Sequence, residues 1–246
     1  AWGQLKNLKA CSPENRSDWE EFLIHKKGVP AKSLYAVVAC VAKWNSCKVI
    51  VLAGMSELKN KDKYNRDDVK ALLIARIDGK PFKKYKELPE RKYHVISGSE
   101  DSWITPHSPE EIQNAHTLIK CEGPIDMSAV YPHLPDGYAV VSNTNGAGSI
   151  PDSIGPIFGF KKEIWIIHDA DTPGEKGAKA LGNKLSSPMR EKPIKWIKLP
   201  YPVTDNHGKD LRDWLNEGHT FDELKALAEE TEPYVEKSIA DEPQFE

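Results

Sequence analysis

Residues 164–174 have the sequence IWIIHDADTPG, in which an apolar run ends at two aspartates and a Thr-Pro-Gly turn. The run predicts a buried β-strand, and the residues that follow predict a helix over 173–185. Asp169 and Asp171 stand two positions apart, so in extended backbone their side chains point to the same side. The stretch therefore predicts a strand–loop–helix unit that presents two carboxylates where the strand ends.

Two other segments place acidic residues in similar positions. Residues 117–126 read TLIKCEGPID and carry Glu122 and Asp126, and residues 208–213 read GKDLRD and carry Asp210 and Asp213. A single aspartate at such a point is more often a helix N-cap. Three clusters together favour a metal site, because gathered carboxylates repel one another unless a divalent cation such as Mg²⁺ neutralises them.

The chain from residue 99 onward alternates predicted strands and helices, which indicates an α/β fold with a Rossmann-like, mostly parallel sheet and flanking helices. The predicted strands are 117–121, 138–142, 164–168 and 194–199. The predicted helices are 109–115, 124–131, 173–185, 211–216 and 221–229. Because parallel sheets place ligands beyond the carboxyl ends of their strands, we expect the acidic clusters to meet there.

The first 98 residues predict a smaller α+β subdomain with antiparallel pairing. Strands are predicted at 48–55, 71–77 and 93–96, and Asp78-Gly79 indicates a hairpin whose return strand is 80–85. Residues 1–98 hold 20 Lys and Arg against 11 Asp and Glu, whereas 99–246 hold 14 against 26. We therefore predict a basic subdomain over 1–98 that can hold a nucleic-acid backbone, a metal-binding domain over 99–218, and a C-terminal helix and tail over 219–246.

Basic residues in the first region are candidates for holding a nucleic-acid backbone. The densest group comprises Lys83, Lys84, Lys86, Arg91 and Lys92. A solvated hairpin face is the alternative interpretation of this group. Among the tryptophans, Trp103 follows an acidic loop and is the candidate for stacking on a base.

Composition excludes several classes of protein. Hydrophobic residues make up 39% of the 246, enough for a sizeable core, and no run of 18 apolar residues predicts a membrane span. The four cysteines form no C-x-x-C pair, so we expect reduced thiols in a cytoplasmic protein, or at the host nucleoid, and no zinc ribbon. The chain begins with Ala, as expected of a segment of a longer or processed protein.

The acidic motifs resemble the signature of the TOPRIM domain, over about residues 115–200. E-G-x-x-D is matched by Glu122 and Asp126, and D-x-D-x-x-G is matched by Asp169 and Asp171. Gly-Lys-Asp at 208–210 resembles the third acidic motif of bacterial and phage primases, which makes Asp210 a further metal candidate. The small-residue loop at 145–148 lies where primases carry one.

Two N-terminal segments resemble the primase branch of that family. Residues 19–30, a predicted helix ending in Lys27-Gly28-Val29-Pro30, resemble the helix and R-G-I turn that open the polymerase core, with Lys27 in place of Arg. Residues 92–99 resemble its K-Y-x-N-S stretch, with His94-Val95 as a departure. No zinc-binding domain and no G-x-x-x-x-G-K-[ST] helicase motif lies in this sequence. The likeness is greater to phage, plasmid or mobile-element primases than to the housekeeping enzyme.

The resemblance implies a DNA primase catalytic core, a metal-dependent nucleotidyltransferase. It would join nucleoside triphosphates on a single-stranded DNA template, with two Mg²⁺ or Mn²⁺ ions during catalysis. Glu122, Asp169 and Asp171 would be catalytic, and these three with Asp126 and Asp210 would bind metal. A replicative helicase, fused or separate, is the implied partner, and no membrane is involved.

Other functions stay open on the sequence alone. A TOPRIM nuclease would use the same acids to cut nucleic acid with water. Residues 169–172 also fit the D-x-D-x-T motif of haloacid-dehalogenase-like phosphatases, although that motif normally follows the first strand of its fold. A TOPRIM topoisomerase is disfavoured, because the chain is short and shows no partner domain for a catalytic tyrosine. A non-catalytic binding module would keep only a degenerate site.

Overall fold

The described part of the chain forms two five-stranded sheets. A computed structural model describes residues 1–10, 24–25, 27–30, 33, 36, 38–55, 69–83, 91–152, 155–159, 163–186 and 193–235. The first sheet lies within the basic N-terminal region, and the second carries the acidic motifs.

The first sheet is antiparallel throughout, in the order β1-β2-β3-β4-β5. Its strands are β1 (Lys6–Ala10), β2 (Val38–Trp44), β3 (Cys47–Gly54), β4 (Ala71–Arg76) and β5 (Tyr93–Val95). Asn45 and Ser46 join β2 to β3 with φ angles of 43° and 65°. Both central residues therefore have the left-handed backbone that tight hairpins require.

The predicted hairpin after β4 is wrong in its return strand. β4 pairs with β5, and Phe82 forms only an isolated bridge with Arg91. Asp78 accepts a 2.8 Å hydrogen bond from Arg76 Nε, so the Asp-Gly pair forms a local turn beyond the strand end. Residues 84 and 85 lie outside the described part of the chain.

The second sheet has the order β10-β9-β7-β8-β6 and is parallel except for β6, which pairs antiparallel with β8. Its strands are β6 (Trp103–Ile104), β7 (Thr117–Cys121), β8 (Tyr138–Asn143), β9 (Glu163–Ile167) and β10 (Ile194–Trp196). Its helices are α1 (Pro109–Asn114), α2 (Pro124–Val130), α3 (Gly155–Phe158), α4 (Thr172–Ser186), α5 (Leu211–Asn216) and α6 (Phe221–Glu230). The prediction of a mostly parallel sheet with flanking helices is confirmed.

One hydrophobic core connects the two sheets. It contains Ile50 and Leu52 of β3, Ile119 of β7, Trp165 of β9 and Leu224 of α6. Each of these side chains is at most 3% exposed. The sheets also meet through backbone pairing, because the Met55 N–H donates to the Trp103 carbonyl at 2.9 Å. The two sheets are therefore packed as one structural unit, while the domain limits 1–98, 99–218 and 219–246 remain a prediction.

Two expectations from composition can be compared with the described residues. Among the helices found there, none has the length and apolar character needed to cross a membrane. Cys47 and Cys121 are free thiols, and Cys11 lies outside the described residues.

Candidate metal centre

The first two acidic motifs meet at the carboxyl edge of the parallel sheet. Glu122 follows β7 and Asp169 follows β9, and these two strands are neighbours. The Asp169 N–H donates to Glu122 Oε2 at 3.2 Å across 47 positions of sequence. Parallel pairing therefore brings the two predicted carboxylates together, as the strand pattern predicts.

Three carboxylates form a compact group at this edge. Asp126 lies in the first turn of α2, Asp169 follows β9, and Asp210 is the N-cap of α5. One oxygen from each lies within 4.8 Å of the other two. Asp126 and Asp210 are only 8% and 6% exposed. Hard divalent cations such as Mg²⁺ and Mn²⁺ take oxygen ligands of this kind, so the donor set fits the expected metal.

The motif glycines make room for this arrangement. A Cβ at Gly174 would lie 2.3 Å from the Asp169 carbonyl oxygen and 3.0 Å from Glu122 Oε2. A Cβ at Gly123 would lie 2.6 Å from Asp126 Oδ2. All three distances are shorter than ordinary van der Waals contact, so glycine at these positions permits the close approach of backbone and carboxylates.

Asp171 has a structural task in addition to its predicted role. Its Oδ1 accepts the Gly174 N–H at 2.8 Å, which caps the start of α4. Its Oδ2 accepts the Gly208 N–H at 3.1 Å. Asp171 therefore ties the loop after β9 to the segment that carries Asp210, and its role as a metal ligand stays a prediction.

Burial and mutual repulsion disfavour the charged forms of these acids. Burial is the main cause that raises the pKa of Asp169 to about 8, and repulsion from Glu122 and Asp210 adds to the shift. Burial also raises the pKa of Asp126, with repulsion from Asp210 and Asp169 adding to it. The pKa values of Glu122 and Asp210 are raised mainly by burial. A bound divalent cation would relieve this repulsion and stabilise the ionised carboxylates.

Two cations lie among these carboxylates. Arg212 donates from Nη2 to Asp210 Oδ2 at 2.5 Å, and its Nη1 lies 3.7 Å from Asp126 Oδ1. Lys120 is buried in β7, where Nζ donates to the Cys121 carbonyl at 2.5 Å. Burial lowers the pKa of Lys120 to about 8, although the nearby acids oppose this shift.

A cleft of about 770 Å³ contains the acidic group, and basic residues of the N-terminal region line it too. Lys27, Arg91 and Lys92 are its basic lining residues from that region. Burial, followed by repulsion from Arg212 and Lys92, lowers the pKa of Lys27, which indicates that these cations are close together. We call this space the central cleft.

Of the five predicted nucleic-acid-binding residues, Arg91 and Lys92 therefore lie in the central cleft. Lys83 is exposed and is not among the cleft residues. Lys84 and Lys86 lie outside the described residues. The structure thus links part of the basic cluster to the acidic motifs.

The small-residue loop after β8 forms another border of the central cleft. Asp101 accepts hydrogen bonds from Thr144 Oγ1 and Asn145 Nδ2, each at 3.2 Å, and from Ser149 Oγ. A Cβ at Gly177 of α4 would lie 2.5 Å from the Ala147 Cβ. Small residues in both elements therefore allow the loop to pack directly on α4.

The prediction that Trp103 stacks on a base is wrong. Trp103 is 2% exposed in β6 and packs edge-on against Phe158, with ring centroids 5.2 Å apart. Sequence reasoning also gave no specific role to Lys27, Lys120 or Arg212. A basic residue two positions after Asp210 and directly before Asp213 was the available signal for Arg212.

No protein-family model and no curated protein matches this sequence. Among solved structures, the DnaG catalytic core matches with a TM-score of 0.58 and 12% identity, over 85% of this chain and 72% of that chain. The Aquifex aeolicus primase, solved with its zinc-binding and RNA polymerase domains, matches with a TM-score of 0.53 and 18% identity. The primase fragment of the bacteriophage T7 primase-helicase protein matches with a TM-score of 0.52 and 14% identity.

The fold is that of a DNA primase catalytic core. The match to the Aquifex aeolicus primase covers 75% of this chain but only 40% of that chain, so this chain spans less than half of it. The match to the T7 fragment covers 82% of this chain and 72% of that fragment. The TOPRIM-type primase fold implied by the sequence motifs is confirmed.

Proposed function

We propose that this chain is a primase catalytic core that synthesises primers on single-stranded DNA by metal-dependent nucleotidyl transfer. The observation that carries the proposal is the meeting of Asp126, Asp169 and Asp210 in a cleft that Arg91 and Lys92 also line. Carboxylates suit divalent ions, and lysine and arginine suit phosphates. The primase-core fold adds independent support.

In this reaction a 3′-hydroxyl oxygen attacks the α-phosphorus of a nucleoside triphosphate, and the bond to pyrophosphate breaks. Divalent ions supply acidification of the attacking hydroxyl and neutralisation of the leaving pyrophosphate when they are bound. We assign Asp126, Asp169 and Asp210 to hold them, with Asp171 fixing the loop geometry between two of these acids. Glu122, beside Asp169, is assigned to position an ion or to accept the hydroxyl proton.

The basic side of the central cleft is assigned to the template and the triphosphate. Lys27, Arg91 and Lys92 would hold phosphates, which lysine and arginine bind without regard to base sequence. Because one of the similar structures is the primase fragment of a primase-helicase, we also propose a replicative helicase, fused or separate, as the partner.

Primer synthesis by the Asp169→Asn variant tests this proposal directly. Asp169 is the best position, because Asp210 also caps α5 and Asp171 also caps α4. The assay follows incorporation of labelled nucleotides on single-stranded DNA with Mg²⁺ or Mn²⁺, and Asp136→Asn serves as an exposed control outside the cleft. We expect Asp169→Asn to abolish incorporation and Asp136→Asn to retain it.

Two results would contradict the proposal. Incorporation by Asp169→Asn at the wild-type level would remove the metal site from the reaction. Metal-dependent degradation of DNA by the wild-type chain, with no nucleotide incorporated, would identify the TOPRIM nuclease instead.

A further inference from the structure

Arg212 lies close to three aspartates, two of which belong to the third acidic motif. Its guanidinium pairs with Asp210 at 2.5 Å and lies 3.7 Å from carboxylate oxygens of both Asp126 and Asp213. The Arg212 side chain is 14% exposed. A guanidinium is permanently charged and has a planar set of donors that can serve two carboxylates at once.

Contacts already made within the protein engage both oxygens of Asp210 and one oxygen of Asp126. Asp210 Oδ1 accepts the Asp213 N–H at 2.8 Å, and Asp210 Oδ2 accepts Arg212. Asp126 Oδ1 is the oxygen near Arg212, 3.7 Å from its Nη1. The guanidinium of Arg212 is therefore already a cation shared by Asp126 and Asp210.

Asp169, the third member of the acidic group, differs from the other two in its contact with Arg212. In the described part of the chain, Arg212 has ion pairs with Asp126, Asp210 and Asp213 but none with Asp169. Asp169 lies beside Glu122, which accepts its N–H. Among the residues that the structure describes, Asp169 and Glu122, the two carboxylates on this side of the group, thus make no ion pair with Arg212.

We propose that Arg212 fills the position of one divalent ion by bridging Asp126 and Asp210, so that the nucleotide-free site binds a single ion at Asp169. The inference rests on the proposed metal-dependent function. Ions in two-metal sites lie about 3.5–4 Å apart, and a guanidinium between two of the carboxylates takes up one of the two positions. Arg212 is thus a positioning residue, and a second ion enters only when the guanidinium leaves Asp210.

Mn²⁺ binding to the wild-type chain and to Arg212→Gln tests this inference without any activity measurement. Equilibrium dialysis counts bound ions per chain, and electron paramagnetic resonance distinguishes an isolated Mn²⁺ from a magnetically coupled pair. We expect one uncoupled ion in the wild type and a coupled pair in Arg212→Gln. The matched control is Arg76→Gln, which removes an arginine from an aspartate pair outside the cleft and should bind one ion like the wild type.

The outcomes separate this inference from the proposed function. A coupled pair in the wild type, or a single ion in Arg212→Gln, would overturn the role of Arg212 and leave the metal site intact. No ion in either protein would overturn the metal site itself, and the inference with it. If Arg212→Gln does not fold, Arg212→Lys takes its place, because one ammonium cannot span both carboxylates as a planar fork does; the same counts then support or overturn the inference.

Discussion

The two sheets place charged residues in the central cleft in different ways. In the parallel sheet, strand ends from distant parts of the chain share one edge, so Glu122 meets Asp169 although 47 positions separate them. In the antiparallel sheet, neighbouring strands end at opposite edges, and its cations Arg91 and Lys92 come from the one segment that enters β5. Parallel topology therefore brings together acids of separate motifs, whereas the antiparallel sheet adds a basic border.

The largest expected difference between the acidic and the basic side of the central cleft is in their effect on catalysis. Glu122→Gln keeps the oxygen that accepts the Asp169 N–H but loses a negative charge beside the acidic group. We expect nucleotide incorporation to fall by about 10²–10³-fold, because stabilising charge in the reaction contributes several kcal/mol. Affinity for single-stranded DNA, measured by fluorescence anisotropy, should stay unchanged.

The control for this variant is Glu100→Gln, an exposed acid outside the cleft, which should keep wild-type incorporation. A parallel loss of DNA affinity in Glu122→Gln would show that the acidic side also carries template binding, and the division of tasks between the sheets would be wrong.

The acidic side of the cleft was predictable from sequence because apolar runs end abruptly at acids. β7 and β9 were predicted nearly to the residue, and their parallel pairing followed from the intervening helices. The Asn45-Ser46 hairpin was not predicted, because neither residue is glycine although both have positive φ. The bonding of Arg212 was also beyond the sequence, since it depends on how α5 packs beside α2.

Packing provides the next test, because the two sheets share one core. Leu52 of β3 is fully buried in the cluster that also contains Ile119 and Trp165 of the parallel sheet. We expect Leu52→Ala to lower the free energy of unfolding by about 2–5 kcal/mol. Both sheets should still unfold in one transition, followed by circular dichroism and by hydrogen exchange of amides in β3 and β7.

Loss of exchange protection in β3 alone would show that the antiparallel sheet unfolds independently. Leu8→Ala is the matched control, because Leu8 is an exposed leucine of the same sheet, at 36% exposure. Its effect should be within about 0.5 kcal/mol.

The acidic side should also make stability depend on pH in the metal-free protein. Folding raises the pKa of Asp169 from 3.8 to about 8. Between these values the folded chain holds a proton that the unfolded chain has released, so the free energy of unfolding falls as pH rises. Asp169→Asn removes this contribution, and its Tm at pH 8 should exceed that of the wild type by a few °C, since ~1 kcal/mol shifts Tm by ~2–4 °C in a protein of this size.

Thermal denaturation in the presence of a chelator, from pH 5 to pH 8, measures this effect. The wild-type Tm should fall more steeply than that of Asp169→Asn. Superimposable Tm curves for the two proteins would mean that the carboxylates do not repel one another as their geometry indicates.

The smallest expected effect concerns the basic side. Lys92→Gln removes one exposed cation from the cleft. If it contacts one phosphate, the slope of log K against log salt for single-stranded DNA should decrease by about 0.7 in magnitude. Lys179→Gln, an exposed lysine on α4, should leave the slope unchanged. Equal slopes for wild type and Lys92→Gln would place the template elsewhere.

Anomalous diffraction from crystals soaked with Mn²⁺ tests most directly whether side chains from separate motifs share a divalent ion. The account predicts a manganese peak within bonding distance of an Asp169 carboxylate oxygen, at the edge where Glu122 and Asp126 also lie. A fully soaked crystal with no peak in the central cleft, or with manganese bound only elsewhere on the surface, would contradict it.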